Sequence, residues 1–231
     1  MRVHQARAVC FDLDGVLIDT MPLHAKAWEE ALRPLGMRVS RRVIYEREGE
    51  PGVVTARALF LDQRRPLSRR ALTAALRDKE RRFNRLARRI NVQPRLLTLL
   101  RRLSRRGVRL GLVTGTSSRE VRRVVPKRTL RLFDAVVTGD RVRHGKPHPE
   151  PYRSAFRTLR VPPNRTVVVE NAPYGIRAGQ RARAALVIAL ASSLPRRYLR
   201  EADAIVTSVQ HLCALLERLT GVDTASDPPI Q

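Results

Sequence analysis

Residues 8–20 read AVCFDLDGVLIDT. Ala8, Val9, Cys10 and Phe11 are apolar at every position, the pattern of a short strand buried on both faces. Asp12 and Asp14 follow, two residues apart. In extended chain, residues i and i+2 point to the same side, roughly 6–7 Å apart. Two like charges that close repel one another, and burial raises the cost. Such a pair is stable when a cation lies between the carboxylates or when one of them keeps its proton, and both are habits of catalytic sites. The competing reading is a polar turn after an edge strand.

Comparable apolar runs recur at 108–113, 134–137, 166–169, 185–190 and 204–206, with TVVVE the clearest. Helical-looking stretches at 149–160, 173–183 and 208–219 lie among them. Buried strands alternating with helices predict an α/β protein: a doubly wound, Rossmann-like parallel sheet covered on both faces. In such folds the active site lies at the carboxyl ends of the strands. Asp12, Thr114 and Glu170 each stand at the end of one of these runs, which is the first argument for a shared site.

The stretch from 14 to 107 is too long for a βαβ crossover of a few dozen residues. Within it Leu23, Ala27, Trp28, Ala31, Leu32 and Leu35 follow helical spacing, as do Leu72, Ala75, Leu76, Lys79, Phe83, Leu86 and Ile90. A shorter periodic piece covers 53–61. The expected organisation is therefore a discontinuous core, 1–20 and 91–220, with an inserted all-helical unit at 21–90. Pro94 fits the first turn of the helix that returns to the core, and 221–231 reads as a loose tail.

A hydrophobic share of 43% is enough for a core. Cys10 and Cys213 do not make a disulfide framework, which fits a reducing compartment. The N-terminal stretch lacks the apolar h-region of a signal peptide, and no run approaches the length of a membrane span. A cytoplasmic protein is expected. The net charge of +25 raises the question of nucleic acid. However, 42 of the 46 basic residues are arginines spread along the chain, and only 4% of residues are aromatic, leaving few platforms for stacking bases. The excess reads as solvated surface, with a positive field that draws in anionic substrates.

Four stretches carry chemistry together: FDLDGVLIDT, LVTGTSS with Thr114, GKPHPEPY with Lys146, and VVVENAPYGIRAG with Glu170. In this order the chain resembles the haloacid dehalogenase superfamily of phosphotransferases, in its phosphatase and β-phosphoglucomutase-like branch with a helical cap. The resemblance runs from residue 8 to about 219. It implies Asp12 as the nucleophile that takes the phosphoryl group and Asp14 as general acid–base. Thr114 would hydrogen-bond the phosphoryl, and Lys146 would neutralise nucleophile and phosphate. It further implies Mg²⁺ held by Asp12, Asp14, Glu170 and Asn171, with backbone N–H groups around Gly115 and Thr116 on the phosphoryl oxygens. Asn171 departs from the family's usual acidic residue, which weakens the expected metal affinity. Asp14 argues against a dehalogenase, which has no alkoxide to protonate.

The substrate implied is a small phosphorylated metabolite, a sugar phosphate or phosphoglycolate. Thr20 and His24 stand just beyond the aspartates; His24 reads either as a contact to the leaving group and Asp14 or as a solvated first-turn residue. Lys79 either reaches into the cleft or snorkels to water. EGEPG, 48–52, is expected to form a cap loop over the site. It lacks the arginine of the mutases' substrate loop, although Arg47 stands beside it. Trp28 reads as core, and His144 and His148 as loop residues rather than zinc ligands.

Overall fold

The computed structural model describes residues 5–65, 68–87 and 90–222; of the expected tail, 223–231 lie outside the described residues. Six strands form one parallel sheet in the order β3-β2-β1-β4-β5-β6: β1 (Ala8–Phe11), β2 (Arg109–Val113), β3 (Ala135–Val137), β4 (Thr166–Glu170), β5 (Leu186–Leu190) and β6 (Ala204–Val206). Central β1 pairs with β2 through Phe11 and Leu112 and with β4 through Phe11 and Val169. The winding direction reverses between β1 and β4, where open α/β sheets leave a crevice at their carboxyl ends.

Alternation along each strand builds the two faces. Val9, Phe11, Leu110, Leu112, Val167 and Val169 pack on one side, beneath α5 (Pro94–Arg105), α6 (Ser118–Val124) and α10 (Val209–Thr220). Ala8, Cys10, Val113, Val168 and Val187 pack on the other, beneath α8 (Glu150–Leu159) and α9 (Pro173–Arg181). The short α7 (Lys127–Leu130) leads into β3. On α5, Leu96, Leu99, Leu100 and Leu103 are buried; each such side chain contributes about 1.5–3 kcal/mol. Pro94 occupies the first turn of that helix, where a missing N–H costs nothing.

Between β1 and β2 lie α1 (Met21–Leu32), α2 (Arg41–Glu46), α3 (Gly52–Asp62) and α4 (Arg69–Leu86). They share a core of their own, including Ala25, Trp28, Leu32, Ile44, Leu59, Phe60 and Ala75. Ser68 starts α4 by accepting a hydrogen bond from Ala71 N at 3.0 Å. The loop at 47–51 passes over the carboxyl end of the sheet. A methyl group at Gly115 would fall 2.7 Å from the carbonyl oxygen of Gly49. Gly49 itself has φ +85° and sits against the stem of Lys146, so a side chain there would be both strained and obstructed. Among the described residues no helix is long and apolar enough to cross a membrane.

Candidate active site

Asp12 directly follows β1, and its backbone N–H extends the ladder to Val169 at 2.9 Å. Its carboxylate is fully buried. Lys146 Nζ donates to Asp12 Oδ1 at 2.6 Å, to Glu170 Oε1 at 2.6 Å and to Val113 O at 3.0 Å. Tyr152, from α8, donates to the same Glu170 oxygen at 2.5 Å and lies with its ring 5.3 Å from the ammonium. Burial alone would discharge Lys146, but the two carboxylates outweigh it and raise its pKa. Burial pushes the Asp12 carboxyl up although Lys146 pulls it down; Glu170 and Asp14 add to the rise.

Asp14 is treated differently. Thr20 donates to it at 2.5 Å, Thr116 at 2.8 Å, His24 at 3.1 Å and Thr114 at 3.3 Å. Burial raises its pKa, but His24 and these hydroxyl donors prevail and hold it below the usual carboxylate range. His24 is buried, stacked on Phe83 at 4.0 Å, and burial followed by the charge of Lys79 lowers its pKa. A neutral His24 carries its proton on the nitrogen that faces Asp14. The solvated reading of His24 therefore falls: its ring is walled in by the cap.

Oxygen atoms left without partners mark where a hard cation fits. Asp12 Oδ2 and Asn171 Oδ1 are buried and unbonded, and such atoms in a folded protein call for an explanation. Asn171 presses against Gly15, whose φ of +83° turns the chain just after Asp14. These two oxygens suit Mg²⁺. The other two residues of the expected metal set are otherwise engaged. The Asp14 side chain is saturated by its four donors, and Glu170 is taken up by Lys146, Tyr152 and, at 3.1 Å, the N–H of Asn171. Glu170 positions Lys146. Thr116 also departs from expectation: its N–H goes to Thr114 Oγ1 at 3.0 Å and its hydroxyl to Asp14, so it braces Asp14.

A cleft of about 210 Å³ opens above these groups, between cap and core. Gly115, Thr116, His24, Trp28, Arg47, Glu48 and Lys79 line it, so Trp28 serves the cap core and the cleft together. Lys79 is buried there, 5.0 Å above the Phe83 ring, rather than snorkelling outward. Arg47 is half-buried and gripped by Glu50 at 3.1 Å, with Asp62 at 3.9 Å. Glu48 was not singled out from sequence. Burial, then the charges of Asp14 and Asp12, lifts its carboxyl well above the usual range. Tyr152 was also missed, although it stands within the quoted GKPHPEPY stretch. His144 and His148 are exposed; Glu150 accepts from His144 Nδ1 at 3.0 Å and from the N–H groups of Arg143 and His144.

One buried carboxylate held by a lysine, with a second ionised two residues away, is equipment for group transfer onto an aspartate, on a doubly wound α/β hydrolase fold. The chain belongs to the haloacid dehalogenase-like hydrolase family, whose model matches residues 6–183, and it is a phosphomonoester hydrolase. It is 32% identical over 182 residues to the phosphorylated carbohydrates phosphatase of Thermotoga maritima, covering 76% of this chain and 81% of that protein. With the fructose-1-phosphate phosphatase YqaB of Escherichia coli it shares 31% over 173 residues, 74% and 90% of the two chains. A putative β-phosphoglucomutase from Bacteroides vulgatus superposes with a TM-score of 0.82 at 30% identity, covering 94% of this chain and 90% of that one.

Proposed function

We propose that the protein is a cytoplasmic, Mg²⁺-dependent phosphatase that hydrolyses a small phosphorylated metabolite through an aspartyl-phosphate on Asp12. The observation that carries this reading is the unequal treatment of two neighbouring buried aspartates. Asp12 keeps one oxygen unbonded, while Asp14 is surrounded by donors. The cleft is smaller than the 300–1,000 Å³ usual for drug-sized ligands, which favours a compact leaving group. The sugar phosphates named for the two relatives are of that size class.

The Asp12 carboxylate attacks phosphorus, and the bond from phosphorus to the ester oxygen breaks. Asp14 is ionised at rest; the dianionic phosphoryl group that binds beside it raises its affinity for a proton, which it takes up from water and then gives to the departing alkoxide. In the second step Asp14 takes a proton from water, the water oxygen attacks phosphorus, and the bond to Asp12 breaks. Lys146 neutralises Asp12 and the phosphoryl oxygens, and Thr114 orients the group. Asp12 and Asn171 are the residues that would hold Mg²⁺, which would supply further charge neutralisation for the phosphoryl group.

A mutase reading uses the same residues and is favoured by the likeness to the putative β-phosphoglucomutase. It needs an anchor for the phosphate that is not being transferred. Arg47, the candidate for that anchor, is already paired with Glu50, which supports hydrolysis. The test incubates the enzyme with β-glucose 1-phosphate and Mg²⁺, with and without β-glucose 1,6-bisphosphate, and follows free phosphate and glucose 6-phosphate together. Stoichiometric phosphate, absent in the Asp12→Asn variant, is expected. Glucose 6-phosphate accumulating without phosphate, stimulated by the bisphosphate, would establish the mutase instead.

A further inference from the structure

On a chain of net charge +25, Glu120 and Glu80 line the wall of the cleft beside Lys79. Glu120, in the first turn of α6, is only 7% exposed. Its Oε2 accepts from Ser117 Oγ at 3.2 Å, while Oε1 is buried with no partner. Glu80, on α4, also lines the cleft. Burial, and then the charge of Glu120, raises the Glu80 carboxyl against the pull of Lys79, Arg119 and Arg77. Lys79 holds its ammonium over Phe83 and, at 5.9 Å, Trp28, and makes no ion pair among the described residues. The wall is therefore one ammonium donor beside two carboxylate acceptors, one of which has a buried oxygen still lacking a donor.

We infer that the cap cleft selects an uncharged, hydroxyl-bearing leaving group, and that Glu120, with Lys79 and Glu80, is the specificity-determining element. The inference rests on the phosphatase reading and names the leaving group for it. A hydroxyl does what this wall needs: it donates to Glu120 Oε1 and accepts from Lys79. A buried acceptor without a donor is costly, so a leaving group that supplies the donor is favoured over one that cannot. A second phosphate or a carboxylate on the substrate instead brings negative charge against Glu120 and Glu80. Arg47, the other cation at the cleft, is held by Glu50 and is not free to offset that charge. An ammonium would suit Glu120 but would be set against Lys79. The class chosen is thus a monophosphorylated sugar or sugar alcohol, with phosphoglycolate, bisphosphates and phosphoamines rejected.

The test measures kcat/KM of the Mg²⁺-supplied enzyme for sorbitol 6-phosphate, fructose 1-phosphate, phosphoglycolate, fructose 1,6-bisphosphate, phosphoethanolamine and p-nitrophenyl phosphate. The two hydroxylated monophosphates are expected to exceed the two anionic substrates and the amine by about tenfold or more. Glu120→Gln keeps the shape and removes the charge; it should narrow the ratio of fructose 1-phosphate to phosphoglycolate by about tenfold. Glu80→Gln, at a half-exposed position, should move the ratio the same way by less. A wild-type preference for phosphoglycolate, the bisphosphate or phosphoethanolamine would overturn the inference while leaving the phosphatase standing. So would an unmoved ratio in both variants, provided they melt like wild type. Absence of turnover on every substrate, p-nitrophenyl phosphate included, would remove the phosphatase reading and this inference with it.

Discussion

Replacing Lys146 by Met takes the only cation from between two buried carboxylates that it touches. Each of its contacts, to Asp12 and to Glu170, spans 2.6 Å; at an effective dielectric of 20 each is worth about 6 kcal/mol of attraction. Desolvating the three ions cancels most of this, since the effective penalty is several kcal/mol per ion. Removing one partner restores none of that penalty to the carboxylates left behind. The expected loss is therefore that of a broken buried pair, about 3–5 kcal/mol, or a fall in Tm of roughly 10 °C for a chain of this size. The assay is urea unfolding in EDTA, followed by circular dichroism and by the fluorescence of Trp28, the single tryptophan. Coincident transitions would license two-state treatment. Adding Glu170→Gln to the variant should recover more than about 1 kcal/mol, because it removes one of the two uncompensated charges. A loss below about 1 kcal/mol for Lys146→Met, or a double variant less stable than the single one, would refute the reasoning.

Two further predictions concern the same floor. EDTA should abolish activity and Mg²⁺ restore it, and Asn171→Asp should lower the Mg²⁺ concentration at half-activation because it puts a charged oxygen where Asn171 offers a neutral one; an unchanged titration would remove Asn171 from the metal's surroundings. Gly175→Ala should cost about a hundredfold in kcat, because a methyl group on α9 would overlap the Glu170 carboxylate and displace the residue that positions Lys146; turnover within about fivefold of wild type would show that Glu170 has room to move.

The strands were readable because each is a short run of apolar, often β-branched residues between helical stretches: 8–11, 134–137 and 204–206 all appear as strands of one sheet. A parallel doubly wound sheet followed, because strands buried on both faces need helices on both sides. The two aspartates were readable because their two-residue spacing at a strand end has few stable explanations. Thr114 and Glu170 were found by the same end-of-strand argument, whereas Lys146 entered through the family resemblance.

What local pattern could not contain is which groups each side chain meets. Lys146 lies 134 residues from Asp12 along the chain, and only the reversal of winding between β1 and β4 brings Asp12, Glu170 and the Lys146 loop to one crevice. Tyr152 and Glu120 occupy ordinary helical positions, and they acquire meaning only because α8 packs on β2 and the first turn of α6 borders the cleft. His24 looks like a first-turn surface residue until α4 places Phe83 over its ring. Asp14 is ringed by donors because four of them converge on it from two separate segments, the start of α1 and the loop after β2. Burial and hydrogen bonding are properties of the packed neighbourhood. The residue types establish that an aspartate-based site is present, while the packing decides which aspartate is left with an open oxygen.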